Sequence, residues 1–570
     1  MKRCPECRRD YYDETLLFCL DDGERLLEGP ASVDEPVTAF LPSTSTATDA
    51  PTRAQIHTTD HTAVSPTVNS GGAPGVKAPL DTRLVLVPVV AILLAVAAFF
   101  GYRQFISGDG QVESIAVMPF VNDSGSADVE YLSDGMTETL INSLSQIPNL
   151  SVKARSSVFR YKGREFDLKK LAAELGVQAI LTGRVIQRGD QLTLNVELVD
   201  ALTENTLWGN KYERKSSDLV SLQSEVARDV SNRLKSKLSW ADVANVGKSY
   251  TTNPEAYQLY LKGRFAWNKR TGTSLKQAAE FFKQATEKDP NYALAYSGLA
   301  ETYSLFSTFS VARAKDSMPQ AKAAAERALE LDSSLAEPHT ALEMYFTFYE
   351  YDRVAGESEI RRAIEINTNY ATAHQWLGSD LLTPTKRFDE SLASLRRAET
   401  LDPLSPIIGT NLGDVFLFSR RYDEALDQYQ RTLSLDPNFP LAYYSIAQAR
   451  WMKGMRSEAV ADIKRYIELS DDPSGKGELA FFLAKTDERE EALTILAELQ
   501  GEAHDRYVQS YAFALVYIGL GDREKAYEFL NKEIDEHGMN ANYYSINPEL
   551  DELRPEPRFK AMLKRLNLPE

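Results

Sequence analysis

The residues best equipped for chemistry stand at the start of the chain, in "CPECRRDYYDETLLFCLDDG". Cys4 and Cys7 flank a Pro-Glu turn, and a two-residue spacing lets both thiolates reach one ion from a single turn. Eleven residues separate Cys7 from Cys19, and Asp22 stands where a fourth cysteine would complete a second pair. Carboxylate oxygen is an accepted zinc ligand, so Cys4, Cys7, Cys19 and Asp22 predict a Cys3Asp tetrahedron around one structural zinc. Asp21 or an external ligand is the alternative at the fourth position, and a degenerate head with free thiols is the alternative to a metal. So short a segment has almost no core of its own, which makes its folding depend on the ion.

Other patterns that carry chemistry elsewhere fail here on spacing or context. "VGKSY" holds Gly247, Lys248 and Ser249 in the order that ends a phosphate-binding loop, but the first glycine such a loop needs falls at Asp242. No H-E-x-x-H, G-x-S-x-G or kinase signature occurs, and the six histidines have neither metal nor triad spacing. In "LSDGMTETL", Asp134, Gly135 and Thr137 can stand beside a ligand at a helix start; Ser133 and Asp134 are read as capping residues. No enzymatic activity is expected.

The elements that must position these residues are several. A length of 570 residues corresponds to about four structural units. All three cysteines lie in the first twenty positions, so the long remainder depends on apolar packing. A net charge of -18 makes nucleic acid an improbable partner for any extended surface. Residues 1–28 resemble a short bacterial zinc ribbon, including Phe18 before the third cysteine and the "DG" turn after it. Residues 29–82, rich in Ser, Thr, Pro, Ala and Gly, read as a disordered linker. Residues 83–105 predict one transmembrane helix, because 84–100 carry no charge and span roughly 25 Å as a helix. Lys77 and Arg83 before it against Arg103 after it favour a cytoplasmic amino terminus, and a reducing cytoplasm suits the thiols.

Residues 112–240 read as a small α/β domain. "SIAVMPF" is a buried strand, and Met136, Leu140, Ile141, Leu144 and Ile147 fall on one helical face. "AILTGRVI" and "QLTLNVELV" are strands joined through Arg188, Gly189 and Asp190, the second alternating Leu192, Leu194, Val196 and Leu198 with polar residues. Leu219, Leu222, Val226, Val230, Leu234 and Leu238 mark a closing helix. The stretches "SIAVMPFVNDSG", "EYLSDGMTETLINSLSQIPNLSVKARSSVFRYKG" and "LAAELGVQAILTGRVIQRGDQLTLNVELVDALTENTLWGNKYER" resemble the TolB amino-terminal-like domain that bacteria place before tetratricopeptide arrays. The resemblance implies a membrane-tethered binding or sensing segment without catalytic residues. Related architectures precede this pair with a membrane span and a cytoplasmic output module such as a kinase, a nucleotide cyclase or a winged helix.

From 253 to 570 the signal is periodic. Asp332, Asn367, Asp402, Asp436 and Asp471 occupy equivalent places at separations of 35, 35, 34 and 35 residues, the tetratricopeptide period. Leu412, Gly413, Phe416, Ala425, Tyr429 and Pro437 fill the signature positions of one repeat, and Tyr443, Ile446, Ala447 and Ala459 those of the next. The small residues let paired helices approach and the aromatic fills the gap beside them. About seven or eight repeats are expected, closed by a capping helix in "INPELDELRPEPRFKAMLKRL". Tyr296, His339, His374 and Tyr443 recur at similar points on first helices and are the candidates to line a binding groove, with packing between helices as the alternative role.

The expected whole is multidomain: a zinc-ribbon-like head, a single transmembrane helix, a small α/β domain and an all-α tetratricopeptide superhelix. It would act as a non-catalytic scaffold or sensor in the bacterial cytoplasmic membrane, with its C-terminal domains periplasmic or extracellular and a protein or envelope component as partner. The alternatives are a membrane-tethered regulator whose head touches nucleic acid or a cytoplasmic signalling partner, and a small-ligand sensor or unrecognised enzyme in the α/β domain.

Overall fold

A computed structural model describes residues 2–3, 10–11, 27–28 and 112–570, apart from 127–128, 235–245, 310, 471 and 487. Cys4, Cys7, Cys19, Asp22, the linker and the span expected over 83–105 all lie outside the described residues. Among the described residues no helix is long and apolar enough to cross a membrane. The chain divides into two units, Met1–Ile92 and Leu93–Glu570. In the first, β1 (Lys2–Arg3) pairs antiparallel with both β2 (Asp10–Tyr11) and β3 (Leu27–Glu28).

In the second unit the apolar run β4 (Ser114–Val117) is buried and pairs in parallel with β6 (Ser151–Val152) and β7 (Ala179–Arg188). The short β5 (Val121–Asn122) also joins β7. β7 and β8 (Gln191–Asp200) form a hairpin in full register, closed by Gly189 at φ +59°. Leu192, Leu194, Val196 and Leu198 are buried, as their alternation predicts. A further strand that the sequence reading does not anticipate, β9 (Thr206–Lys215), completes the order β6-β4-β7-β8-β9. Its residues are mostly exposed on both faces, with Tyr212 alone fully buried, so no period of two marks it; pairing with β8 fixes it instead.

Helix α1 (Glu130–Ser145) covers the sheet with Met136, Leu140, Ile141 and Leu144, and α4 (Leu219–Leu234) with Leu222, Val226 and Val230. Leu238 lies outside the described residues. Between them run the short α2 (Arg155–Phe159) and α3 (Leu168–Leu175), the latter capped by Asp167 and ended by left-handed Gly176. One expectation is corrected: Ser133 and Asp134 cap nothing. They stand inside the first turn of α1, whose N-cap is Val129, and both are buried. Asp134 instead faces Lys162 at 2.6 Å.

The rest of the unit is eight helix pairs among the described residues. The first helices are α5 (Pro254–Trp267), α7 (Ala293–Ser304), α9 (Glu337–Met344), α11 (Ala371–Trp376), α13 (Pro406–Phe418), α15 (Pro440–Met452), α17 (Ser474–Ala484) and α19 (Ser510–Leu520). The second helices are α6 (Gly272–Lys288), α8 (Ala314–Leu331), α10 (Arg353–Ile366), α12 (Phe388–Leu401), α14 (Tyr422–Leu435), α16 (Arg456–Leu469), α18 (Arg489–Asp505) and α20 (Arg523–Asp535). α9 and α11 run on as π-helical turns, Tyr345–Tyr349 and Leu377–Leu382. A final helix, α21 (Pro557–Arg565), buries Phe559, Met562 and Leu563 against the last pair, the cap expected there.

Close approach explains the small residues. A Cβ added at Gly413 would lie 2.2 Å from Cε1 of Tyr429, and one at Gly298 would lie 2.7 Å from the Phe282 ring. Gly413→Ala is therefore expected to cost about 1 to 3 kcal/mol through overpacking, read as a lower urea midpoint at unchanged slope. An unaltered midpoint would show that Tyr429 yields freely.

The periodic Asp and Asn residues have a local reason too. Three of them end a second helix with a side-chain oxygen that accepts from the backbone N–H two residues on: Asp332 from Ser334, Asn367 from Asn369 and Asp436 from Asn438, at 3.0 to 3.1 Å. Asp471 lies outside the described residues; its neighbour Asp472 makes this turn with Ser474 at 3.0 Å.

Candidate functional site

Those corners hold the α/β domain. Lys248, just ahead of the first repeat, donates to Asp332 at 2.6 Å. Asn367 reaches the Ser145 hydroxyl at 3.0 Å, and Asn369 donates to the carbonyls of Ser145 and Leu150 at 3.0 and 2.8 Å. At Asp402 the local turn is opened and Ser157 is inserted: its hydroxyl donates to Asp402 Oδ1 at 2.5 Å and accepts from the Leu404 N–H at 2.9 Å. Ser156 adds a second hydroxyl to the same carboxylate. Lys153 donates to the Thr400 carbonyl at 2.7 Å, and burial, followed by the nearby Arg397, lowers its pKa. Arg160 donates to the Leu404 carbonyl at 3.2 Å and to that of Leu435 beside the Asp436 corner, so three successive corners, at Asn367, Asp402 and Asp436, receive residues 145–160 of the α/β domain.

The deepest contact lies between α1 and α5. Arg264 donates from Nε to Glu138 Oε1 at 2.7 Å and from Nη1 to Glu301 Oε2 at 2.6 Å. Arg155 adds a contact to Glu138 at 3.2 Å, and Asn268 donates to it at 2.6 Å. The three charged side chains of this bridge are 10% exposed or less. The pattern is one of buried, mutually satisfied ions, which holds two modules in one orientation.

The opposite ends of the first helices meet a different part of the chain. Residues 541–550 are irregular, with two 3₁₀ turns, and nine of the ten are buried. Asn542 donates to the Asp380 carbonyl at 2.8 Å, Ser545 to the Pro384 carbonyl at 2.6 Å and Asn547 to the Tyr511 hydroxyl at 2.6 Å. Gln448 donates to Glu549 at 2.9 Å. These partners belong to the fourth, sixth and eighth pairs, so the array curves around one short segment.

Buried acids line the same inner face. Burial pushes Asp380 and Asp414 up to about 6, and lifts Glu343 well above the usual carboxylate range with Asp380 adding to it. Glu478 is raised by burial and then by Glu549 opposite, and Tyr444 donates to it at 3.1 Å. Burial also holds Glu533, on α20, at about 7. Carboxyls raised in this way, once protonated, accept and donate hydrogen bonds without a counter-ion.

The four residues read as groove candidates are not brought together. His339 pairs through Nδ1 with Glu359 of its own repeat at 2.6 Å, and His374 Nε2 lies 3.2 Å from the Thr368 carbonyl. Tyr296 sits under Arg327, and Tyr443 donates to the Pro437 carbonyl at 3.0 Å. Each is tied within its own repeat. What the reading missed, the Arg264 bridge and the segment 541–550, carries no periodic signal.

With this geometry in view, two family profiles match. One, described as "TPR repeat", covers residues 421–454. The C-terminal part of the chain is a tetratricopeptide superhelix, carried beside a small α/β domain. The other profile, described as "HilA/YgeH-like transcriptional regulator, second domain", covers residues 111–229, where the TolB amino-terminal-like domain is expected; no comparison supports that finer assignment. The chain is similar to Putative adenylate cyclase 3 of Rhizobium meliloti (strain 1021), 33% identical over 230 residues, 40% of this chain and 39% of that protein. It is also similar to Transcriptional regulator HilA of Salmonella typhimurium, 21% identical over 297 residues, 52% of each chain. The chain therefore spans about half the length, or less, of these curated relatives. Among solved structures, Pseudomonas aeruginosa PilF is 23% identical with a TM-score of 0.28, over 35% of this chain and 90% of that one. A thermophilic TPR protein of Thermus thermophilus is 20% identical with a TM-score of 0.30, over 34% of this chain and 98% of that one.

Proposed function

We propose that the chain is a non-catalytic interaction scaffold in which the α/β domain and the tetratricopeptide array act as one recognition body for a protein partner. The observation that carries this reading is the seating of residues 145–160 on three successive corners, reinforced by the buried Arg264 bridge, which makes the two modules a continuous surface. The relatives' names support it: one is named a putative adenylate cyclase and the other a transcriptional regulator, so no single chemistry accompanies likeness to this chain. The finer reading is a bacterial protein tethered by residues 83–105, with its zinc-binding head cytoplasmic and the array outside. The charge-free stretch 84–100 and the cysteine spacing support that arrangement.

One experiment tests both levels. Leu441 on a first helix and Leu493 on a second helix are 42% and 39% exposed. Each is replaced by Cys in a chain whose Cys4, Cys7 and Cys19 are Ser, and intact cells receive a membrane-impermeant thiol reagent bearing a photo-crosslinker. Labelling is expected in intact cells, with one protein captured from position 441 and not from 493. Labelling only after lysis would reverse the topology, and capture from neither position would end the groove reading.

A further inference from the structure

The turn between first and second helix places one residue of each of several repeats in the left-handed region. Glycine takes that place in the sixth and eighth pairs, Gly454 at φ +80° and Gly521 at φ +77°. In the third, fourth and fifth pairs it is taken by Tyr351 (φ +55°), Lys386 (φ +63°) and Arg420 (φ +66°). A residue with a Cβ is strained there and persists only where something else holds it. All three hold the C-terminal segment. The Tyr351 carbonyl accepts from Asn567 at 2.9 Å, and Lys386 donates to the Glu570 carbonyl at 2.6 Å. Arg420 donates to the Ile546 carbonyl at 2.8 Å and pairs with Asp551 at 2.7 Å. Arg270, at the same turn of the first pair, lies over Trp267 instead.

Three strained turns in succession therefore hold residues between 546 and 570, Arg420 alone reaching the stretch 541–550, and that stretch has the properties of a bound peptide. It is irregular, nearly all buried, and satisfied by residues far from it in sequence: Asn542 and Asp380 are 162 apart, Arg420 and Ile546 126 apart. Apart from Ile546, its side chains from 542 to 547 are uncharged donors, Asn, Tyr, Tyr, Ser and Asn, offered to carbonyl, carboxylate and hydroxyl oxygens of the array. Tyr543 also stacks on Phe418 at 5.9 Å. An inner face lined by buried acids accepts such donors.

We infer that residues 541–550 are the array's own peptide ligand, seated where an irregular, Asn- and Tyr-bearing segment of a partner protein binds, so that the partner enters by displacing them. The inference rests on the scaffold reading above and names the class of peptide that the groove takes. It also implies that the resting chain is closed to that partner, because a groove filled by a tethered segment lowers apparent affinity by the fraction of time it is open.

The test uses the full chain carrying Lys386→Gly and Arg420→Gly. Glycine suits both turns, so the double variant keeps the repeats while losing the Arg420 hold on Ile546 and Asp551 and the Lys386 hold on Glu570. The probe is a fluorescent synthetic peptide of residues 540–551. The variant is expected to bind it about tenfold more tightly than the unaltered chain. Hydrogen exchange is expected to be faster at 541–550 and unchanged over Ser510–Leu520. Equal affinity in the two chains would overturn the inference, as would faster exchange at 541–550 without tighter peptide binding. Should the variant fail to fold, exchange on the unaltered chain decides: 541–550 must open about tenfold more often than Ser510–Leu520, and equal protection overturns the inference. Peptide exchange without any protein captured from position 441 would instead count against the scaffold reading alone.

Discussion

Arg264→Ala is expected to lower the unfolding free energy of the second unit by about 3 to 5 kcal/mol, the largest effect of any single change considered for this chain. The substitution leaves Glu138 and Glu301 facing each other with side chains only 6% exposed and their shared cation gone. Arg155 remains at 3.2 Å from Glu138 and Asn268 at 2.6 Å, so that carboxylate keeps part of its shell, while Glu301 loses its cation. Arg264→Leu removes the same ion but restores some packed volume, and should lose less than the alanine variant. The measurement is urea unfolding of the full chain followed separately by a probe in the α/β domain and one in the array. In the unaltered chain the two probes should report one transition, because Glu138 and Arg264 belong to different modules. In Arg264→Ala they should part. Coincident transitions with a loss under about 1 kcal/mol would show that the corner contacts alone join the modules.

The second large effect is on the pH dependence of stability. Burial raises the Glu533 carboxyl from its ordinary 4.5 to about 7, although the Tyr511 N–H donates to it at 3.0 Å. Between those two values the native chain binds the proton and the unfolded chain does not, so stability falls as pH rises through the window and is flat on either side. A shift of this size corresponds to about 3 kcal/mol. Asp380 and Asp414, pushed up to about 6, act in the same direction over the lower part of the window. Glu533→Gln keeps the shape and an acceptor for Tyr511 while removing the titration. It should gain up to about 3 kcal/mol over the unaltered chain at pH 8 and nothing at pH 4.5. A gain independent of pH would falsify the assignment to Glu533, since packing differences do not titrate.

Both effects arise at positions that look unremarkable in the sequence. Glu138 stands in "DGMTETL", Arg264 in "YLKGRFAW" and Glu533 among the charges of "KAYEFLNKEIDE". Charges of that kind read as a solvated face, and at Glu533 that reading is wrong because the 3₁₀ turn Met539–Tyr543 folds back over it. Ser133 and Asp134 show the same limit: their types suit a helix start, but Lys162 and Arg155 reach Asp134 from another element. The strand β9 escapes notice because an edge strand with polar residues on both faces has no period to read.

What the sequence determined by itself is whatever local physics repeats. Alternation in β8 marks a sheet with one buried face, and small residues facing aromatics in repeats of 34 or 35 residues mark paired helices. Asp or Asn two residues before a free N–H marks each corner. The tertiary structure alone decided which corners are occupied. Asp402 has the same residue type and spacing as Asp332 and Asp436, yet its turn is opened by Ser157 from 245 positions away. It also decided that Tyr351, Lys386 and Arg420, in left-handed turns where other repeats place glycine, grip the chain's own C-terminal segment. Periodicity records the neighbours a residue meets within one repeat; contacts between modules occur once, between residues more than a hundred positions apart, and leave no period behind.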